Sequence, residues 1–454
     1  MTAAAVRVPH ARLIAIGAAS VVALVILWLS RNFNFYFDEW DFILAAPAWT
    51  PASLLEPHNQ HPSMLLIAVY AVLLNTVGLR SYLPYMAVLL ALHAASVVML
   101  FELVRRRAGD LIGLAAGALF LALGAAWENL LWAFQIGSVG AVACGLGMLI
   151  ALDGPRTRRR IALAGALLIA SLMFSGIGLV FWVAAAVLFL ATPGRRRDLL
   201  ALLPIAIAFG AWYLAYGRHG AAPSVAPSEG NVFALPLYVA WGVGSAIAGL
   251  AGLGGPIGLP LALVAAGITA YRWWRRHGGL RSRISIDPFA LACVAALLSF
   301  YVVAGLNRAQ LGFEQAGAGR YVYEGALFWL LLLADAARDL PWRGTWRPAL
   351  VACLFLACFN NAVLLGAYAT AKTVQMQRED ADIYALQLVR NHPCLNPNGA
   401  VDPLVMPQVA RPDAYYRAID RFGSPPLPFA SNHEGTPSAD LASALGNLVR
   451  KGCA

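Results

Sequence analysis

The sequence predicts an all-α polytopic membrane protein, and three observations carry that prediction. Only 12% of the 454 residues are charged and 60% are hydrophobic, with a mean hydropathy of +0.67, whereas a soluble domain carries about 25% charged residues. The apolar residues fall in long runs, at 13–30, 82–104, 111–126, 161–173, 199–216, 291–305 and 349–370, nearly free of charge. A spanning helix needs about 20 such residues, and the shorter runs lengthen once their polar flanks sit at the interface. Arginines gather in the short connections between the runs, the arrangement that orients a multi-pass chain.

The first run follows Arg7 and Arg12 as a signal peptide would, but Arg31-Asn32-Phe33 stands where a small-residue cleavage site belongs, so it is expected to be retained as a helix. The basic clusters come next. They are Arg105-Arg106-Arg107, Arg156 with Arg158-Arg159-Arg160, Arg195-Arg196-Arg197, the group Arg272, Arg275, Arg276, Arg281 and Arg283, and then Arg338, Arg343 and Arg347. The net charge of +10 is therefore a matter of orientation, and a nucleic-acid partner is excluded. Arginine outnumbers lysine 31 to 2, which is read as codon bias.

Keeping every cluster on one side requires two apolar stretches not to cross. Residues 62–79 are short and interrupted by Tyr70, Asn75 and Thr76, which suits a helix lying at the interface. Residues 233–253 are glycine-rich and bounded by Pro236 and Pro256. The expected result is about eleven spanning helices, with the N-terminus cytoplasmic and the C-terminal region exterior, in a bacterial cytoplasmic membrane. Residues 1–371 form the membrane domain, with outer loop 31–63 and juxtamembrane helix 62–79. Residues 372–454, polar and proline-rich, form a small exterior region whose helical stretch 374–390 extends the last spanning helix. Its two cysteines, Cys394 and Cys453, are candidates for a disulfide outside the reducing cytosol. The other four lie in apolar runs and read as packing residues.

The chemistry is expected on the outer face. Phe33-Asn34-Phe35-Tyr36-Phe37-Asp38-Glu39-Trp40-Asp41-Phe42 sets three carboxylates among aromatics directly after the first helix. Acids at that depth are costly unless paired, hydrated or used, and a partly dry pocket raises a carboxyl toward the range of a general base. Ordinary interfacial solvation is the other reading. Glu56-Pro57-His58-Asn59-Gln60-His61-Pro62 adds two imidazoles on the same loop. A divalent metal on Asp38, Asp41, His58 and His61 is conceivable, but no recognised ligand spacing supports it, and no metal or other cofactor is assigned. Glu128 and Gln135 bracket an outward junction in Trp127-Glu128-Asn129-Leu130-Leu131-Trp132-Ala133-Phe134-Gln135, where Glu128 serves either the site or the backbone. Gly319-Arg320-Tyr321-Val322-Tyr323-Glu324 opens a late helix, with Arg308 in the loop before it. Outer arginines call for a local partner: a lipid phosphate, which guanidinium matches bidentately, or a salt bridge to Glu314 or Glu324.

In the order and sidedness of these pieces the chain resembles the GT-C superfamily of membrane glycosyltransferases, which take sugars from polyprenyl-phosphate donors. Protein O-mannosyltransferases and lipid A aminoarabinose transferases are the members it is similar to. The shared parts are the acid pair Asp38-Glu39 after the first helix, His61-Pro62 opening a juxtamembrane helix, and Arg320-Tyr321 opening a late helix. Where the mannosyltransferases continue with a second proline and a Gly-Lys pair, this chain has Ser63-Met64-Leu65. It is also similar to a group of actinobacterial membrane proteins sharing its Trp127-Glu128-Asn129 and Phe134-Gln135-Ile136-Gly137 segments, which implies no substrate. The resemblance covers the membrane region and not the tail.

It implies a GT-C-like bundle in which a polyprenyl-phosphate-linked sugar enters from the bilayer. Arg308 and Arg320 then bind its phosphate. Asp38, with Asp41 as runner-up, is the catalytic base, and transfer inverts the anomeric carbon. Glu39, His58, His61, Glu128 and Gln135 contact substrate, and the acceptor is a cell-envelope glycan, glycolipid or protein. Two other classes stay open: a lipid-linked substrate transporter or flippase, and a non-catalytic membrane protein of the same fold. Against transport, the runs lack midplane acids and an inverted pair of broken segments.

Overall fold

Charge separates the two ends of the bundle. In the computed structural model, which describes residues 7–219, 228–276, 287–338, 344–429 and 438–450, the basic connections gather at one end. Helix α1 (Ala11–Leu29) leaves that end, where Arg12 pairs with Glu102 at 2.7 Å. The chain then makes α2 (Asp38–Ala45) and α3 (Met64–Thr76) at the opposite end. It returns through α4 (Leu83–Ala108), which starts on Pro84 and stops at Gly109, whose φ is +93°. The ion pairs Arg107–Asp287 at 2.9 Å, Arg338–Asp335 at 2.7 Å and Arg276–Asp335 at 3.2 Å knit distant basic connections into one layer. The grouping of arginines required by the threading is thus present in space; Arg281, Arg283 and Arg343 lie outside the described residues.

Beyond α4 the chain runs through α5 (Asp110–Leu121) and the short α6 (Trp127–Leu131), bent 43° apart. Helices α7 (Ile136–Leu152), α8 (Arg158–Phe174), α9 (Gly178–Ala191), α10 (Leu203–Ala215), α11 (Asn231–Leu250) and α12 (Gly258–Arg276) continue the bundle. Then come α13 (Pro288–Arg308), α14 (Gly319–Ala337) and the 44-residue α15 (Trp346–Val389). The only paired strands among the described residues form a two-residue hairpin, so the protein is all-α. Seven described helices are long and apolar enough to cross a membrane, eight if the bent pair counts as one span, and the protein is a multi-pass membrane protein.

That measure and the expected threading disagree at five helices. It omits α8 and α9, which are short, and α12 and α14, which carry polar residues, although all four pack within the bundle. It includes α11, but packing argues that α11 does not cross. Asn231 at its start donates to the Leu306 carbonyl at the cavity end of α13. Gly249 near its finish lies against Val322, one turn into α14 from that same end. A helix with both ends at one side is a shallow insertion. Packing outweighs composition here, because an apolar helix is equally content under a bundle cap.

Helix α15 passes through position 372 without a break, as the expected extension of the last spanning helix over 374–390 requires. Beyond it, α16 (Pro412–Phe422) and α17 (Ala439–Leu448) fold back. The Leu79 N–H donates to the Phe422 carbonyl at 3.0 Å, Arg421 donates to the Pro47 carbonyl at 2.8 Å, and the rings of Trp40 and Tyr415 lie 5.8 Å apart. Gly78, at φ +69°, is needed there, because a Cβ would run into the Phe422 carbonyl. Cys394 is disulfide-bonded, while Cys453, its expected partner, lies outside the described residues. Cys144, Cys293, Cys353 and Cys358 are free.

Candidate functional site

The loop after α1 is pinned before it presents any acid. The Asn34 side chain donates to Asp380 at 3.1 Å and to the Pro426 carbonyl at 2.8 Å, tying the loop to α15 and the tail. Phe37 then adopts φ 48° and ψ −119°, a costly conformation for a residue with a side chain, and α2 begins at Asp38. Successive helical residues point about 100° apart, and that angle splits the acid pair. Asp38 lines a cavity, whereas Glu39 is fully buried beneath it.

Glu39 accepts from the Tyr70 hydroxyl at 2.6 Å, the Tyr82 hydroxyl at 3.1 Å and the Tyr36 N–H at 2.8 Å. Expected to contact substrate, it instead joins α2 to α3 and α4. Tyr82 in turn accepts from the Ala133 N–H at 2.8 Å, which extends the strut to the α6–α7 junction. Burial raises the Glu39 carboxyl to about 7, although its three donors favour the charged form.

A hairpin sets the two histidines opposite one another in register. Asn59 and Gln60 both have positive φ, 49° and 68°, as a two-residue turn of this kind demands. The paired positions are His58 with His61 and Pro57 with Pro62. His61 keeps accessible surface because the cavity is open, yet protein surrounds it. That burial lowers its imidazole to about 4, with the charges of Arg308 and His58 adding, so it is neutral at physiological pH. His58 packs on Phe42 and Phe134, its Nε2 lies 4.0 Å from Asp38, and that nitrogen has no hydrogen-bond partner.

Asp41 completes this corner without lining the cavity. Burial raises its carboxyl to about 6 even though part of its surface is exposed, with His58 opposing and Asp38 adding to the shift. The ligand atoms of Asp38, Asp41 and His58 lie within 4.8 Å of one another, so among the described residues these three, without His61, form the group that could hold a metal ion.

The facing wall comes from α6, α13, α14 and α15. Glu128 pairs with Arg320 through Oε1 at 2.8 Å and accepts the Arg320 backbone N–H through Oε2 at 2.8 Å. Arg320 therefore has a salt-bridge partner, but it is Glu128 and neither Glu314 nor Glu324. Glu324 is instead buried with both oxygens unpartnered. Glu128, expected to contact substrate, is engaged in fixing the guanidinium, which keeps 36% of its side-chain surface open. Arg308 lines the cavity and has no ion-pair partner among the described residues, and Gln135 lines it from the start of α7.

The cavity measures about 760 Å³ and gathers Asp38, His58, His61, Glu128, Gln135, Arg308 and Arg320. Of the expected site residues, Glu39 and Asp41 are the two off its wall. Phe174, Ile177 and Phe209, with Val303 and Leu311, supply an apolar side reaching toward α10 and α13. Sequence reasoning missed Lys372, a cavity residue 3% exposed, whose ammonium lies over the Tyr36 ring. The available signal was its rarity: it is one of two lysines beside 31 arginines.

No family model and no curated protein matches the chain. Two solved structures are similar to it, both of the Archaeoglobus fulgidus oligosaccharyltransferase. One is tethered through a disulfide bond to an acceptor peptide containing the NVT sequon, with a TM-score of 0.49 at 12% identity. The other is a complex with Zn and sulfate, with a TM-score of 0.47 at 13% identity. The matches cover 96% of this chain but 63% and 61% of those chains, so it spans less than two thirds of their length.

Proposed function

We propose that this protein is a GT-C-type membrane glycosyltransferase. It moves a sugar from a polyprenyl-phosphate donor to an acceptor on the outer face of a bacterial cytoplasmic membrane. The supporting observation is the single cavity that sets Asp38 on one wall and Arg308 with the Glu128-braced Arg320 on another, beside an apolar side suited to a prenyl chain. The orientation, N-terminus cytoplasmic and tail exterior, follows from the arginine-rich end facing the cytoplasm.

In this reading the donor phosphate rests against the arginines and the prenyl chain against the apolar side. Asp38 takes the proton of an acceptor hydroxyl. The acceptor oxygen forms its bond to the anomeric carbon as the bond from that carbon to the phosphate oxygen breaks, with inversion. The electron pair leaves on the phosphate, where guanidinium charge stabilises it. Neutral His61 and Gln135 offer hydrogen bonds to sugar hydroxyls. The acceptor is a glycan, glycolipid or protein of the cell envelope.

The test is transfer of labelled sugar from a panel of polyprenyl-phosphate donors by purified protein in lipid. Wild type should transfer from at least one donor, and Arg320→Ala should lower the rate roughly 10²–10³-fold, the scale for losing one preorganised donor to a developing anion. Tight binding of lipid phosphate without transfer from any donor would overturn the enzyme reading in favour of carrier binding or transport.

A further inference from the structure

At the basic end of the bundle many arginines are neutralised by acids. Arg12 and Arg106 pair with Glu102, Arg107 with Asp287, and Arg338 with Asp335. The neighbouring connections α7–α8 and α9–α10 differ. There Arg156 and Arg195 share Asp198, at 2.6 Å and 3.2 Å. Arg195 also donates to the Leu152 carbonyl at 3.1 Å, and Arg160 donates to the Ile150 and Ala151 carbonyls, each at 2.9 Å. These bonds hold the two connections together and leave Asp198 fully engaged. Arg158, Arg159, Arg196 and Arg197 remain, all exposed and without an ion-pair partner among the described residues. Orienting the chain requires charge at this end, but it does not require that charge to be concentrated and unpaired.

Beside these arginines an apolar groove opens between α8 and α9. Ile161, Gly165 and Leu168 form one side and Phe189 the other, with Leu202 closing one end. The groove is shallow, about 20 Å³ in volume, so a chain lies along it rather than inside it. Gly165 helps keep it open: a Cβ there would meet nothing within 4 Å. A groove of this kind roofed by unpaired guanidinium groups matches a molecule with an anionic head and an apolar chain. Guanidinium takes phosphate oxygens bidentately, and basic pockets between spanning helices suit anionic headgroups.

We propose that this groove is a binding site for an anionic phospholipid of the surrounding bilayer. One acyl chain lies along α8 and α9, and the phosphate rests on the arginines of the two connections. A neutral lipid matches the groove and not the charge; free phosphate matches the charge and not the groove. The site is at the opposite end of the bundle from Asp38 and shares no residue with the large cavity, so it is independent of the sugar-transfer reading.

The experiment is equilibrium binding to the delipidated full chain in neutral detergent, read by native mass spectrometry as lipid bound per protein. Phosphatidylglycerol and phosphatidylcholine with the same acyl chains are compared, with glycerol phosphate as a soluble competitor. Wild type should hold phosphatidylglycerol in preference to phosphatidylcholine, and glycerol phosphate at equal concentration should not displace it. Replacing Arg158 and Arg159 together by Gln, or Arg196 and Arg197 together, should weaken phosphatidylglycerol binding roughly 10- to 30-fold, the scale for two basic residues at an anionic surface. The pair Arg275→Gln with Arg347→Gln removes the same charge from other connections and should change binding little. Gly165→Leu, which fills the groove and leaves every arginine in place, should weaken binding roughly 5-fold through lost chain contact. Equal affinity of wild type for the two lipids overturns the proposal. So does an equal loss in the Arg275 and Arg347 pair, which would make the effect one of overall charge. Unchanged binding in Gly165→Leu, or displacement by glycerol phosphate, would leave only an anion patch with no lipid site. Should an arginine pair fail to fold, Gly165→Leu and the wild-type lipid preference still decide.

Discussion

Asp38→Asn should lower sugar transfer roughly 10²–10⁴-fold, the contribution of a positioned general base, while leaving folding and donor binding intact. Asp38 is the one carboxylate on the cavity wall that no arginine engages. Its backbone is set by the Phe37 conformation and by the anchoring of Asn34, neither of which involves the carboxylate. Asparagine keeps the shape and removes the ability to take a proton. Single-turnover transfer and lipid-phosphate binding should therefore separate, with the first lost and the second retained. If Asp41→Asn instead produced the large loss and Asp38→Asn a small one, the base would be the neighbouring acid. In that case the cavity wall would not be where the proton is taken.

The second large effect concerns stability. Glu39→Ala should destabilise the protein by about 3–5 kcal/mol, since it leaves two buried tyrosine hydroxyls and one N–H without an acceptor. Thermal unfolding in nanodiscs reads it. The wild type should also show a pH dependence of fixed sign. The folded carboxyl is raised to about 7 from 4.5, so the fold prefers the protonated form. Its contribution to stability is fully present below about 4.5 and is lost progressively as pH rises to about 7, a loss of about 3 kcal/mol at most. Above 7 it is flat. Glu39→Gln should remove that slope while losing one hydrogen bond at every pH. A wild-type midpoint that rises between pH 5 and 7, with a glutamine variant tracking it, would show that this carboxyl is charged in the fold.

These two neighbours illustrate how far the site was legible. That an acid pair follows the first helix, and that His58 and His61 share its loop, is written in the order of residues. Which acid faces substrate is not. Asp38 and Glu39 are equivalent by composition, and only the docking of α2 against Tyr70 and Tyr82 turns one outward and the other in. The hairpin at Asn59-Gln60 carried no glycine to announce it, so the pairing of the histidines was invisible. Arg320 was expected to need a partner, and it has one, but Glu128 is 192 positions away and nearer acids in sequence were the natural candidates. Lys372 reads locally as a lysine snorkelling at a helix end, and it becomes a cavity residue only because α15 packs beside Tyr36 and Trp132.

Sequence by itself determined that the chain is all-α and crosses a membrane, that its basic connections share one end, and that the first loop carries the acids and imidazoles. These follow from helix hydropathy and loop charge, which act over a few turns and need no knowledge of what lies alongside. Tertiary structure alone decided which groups converge: Asp38 with Arg308 and Arg320 on one cavity, Glu39 withdrawn into a strut, and Lys372 buried in the wall. The physical reason is that a side chain's surroundings are set by helices packed against it from distant parts of the chain. A helix fixes only the angle between its own residues, and its neighbours decide which face looks into the cavity.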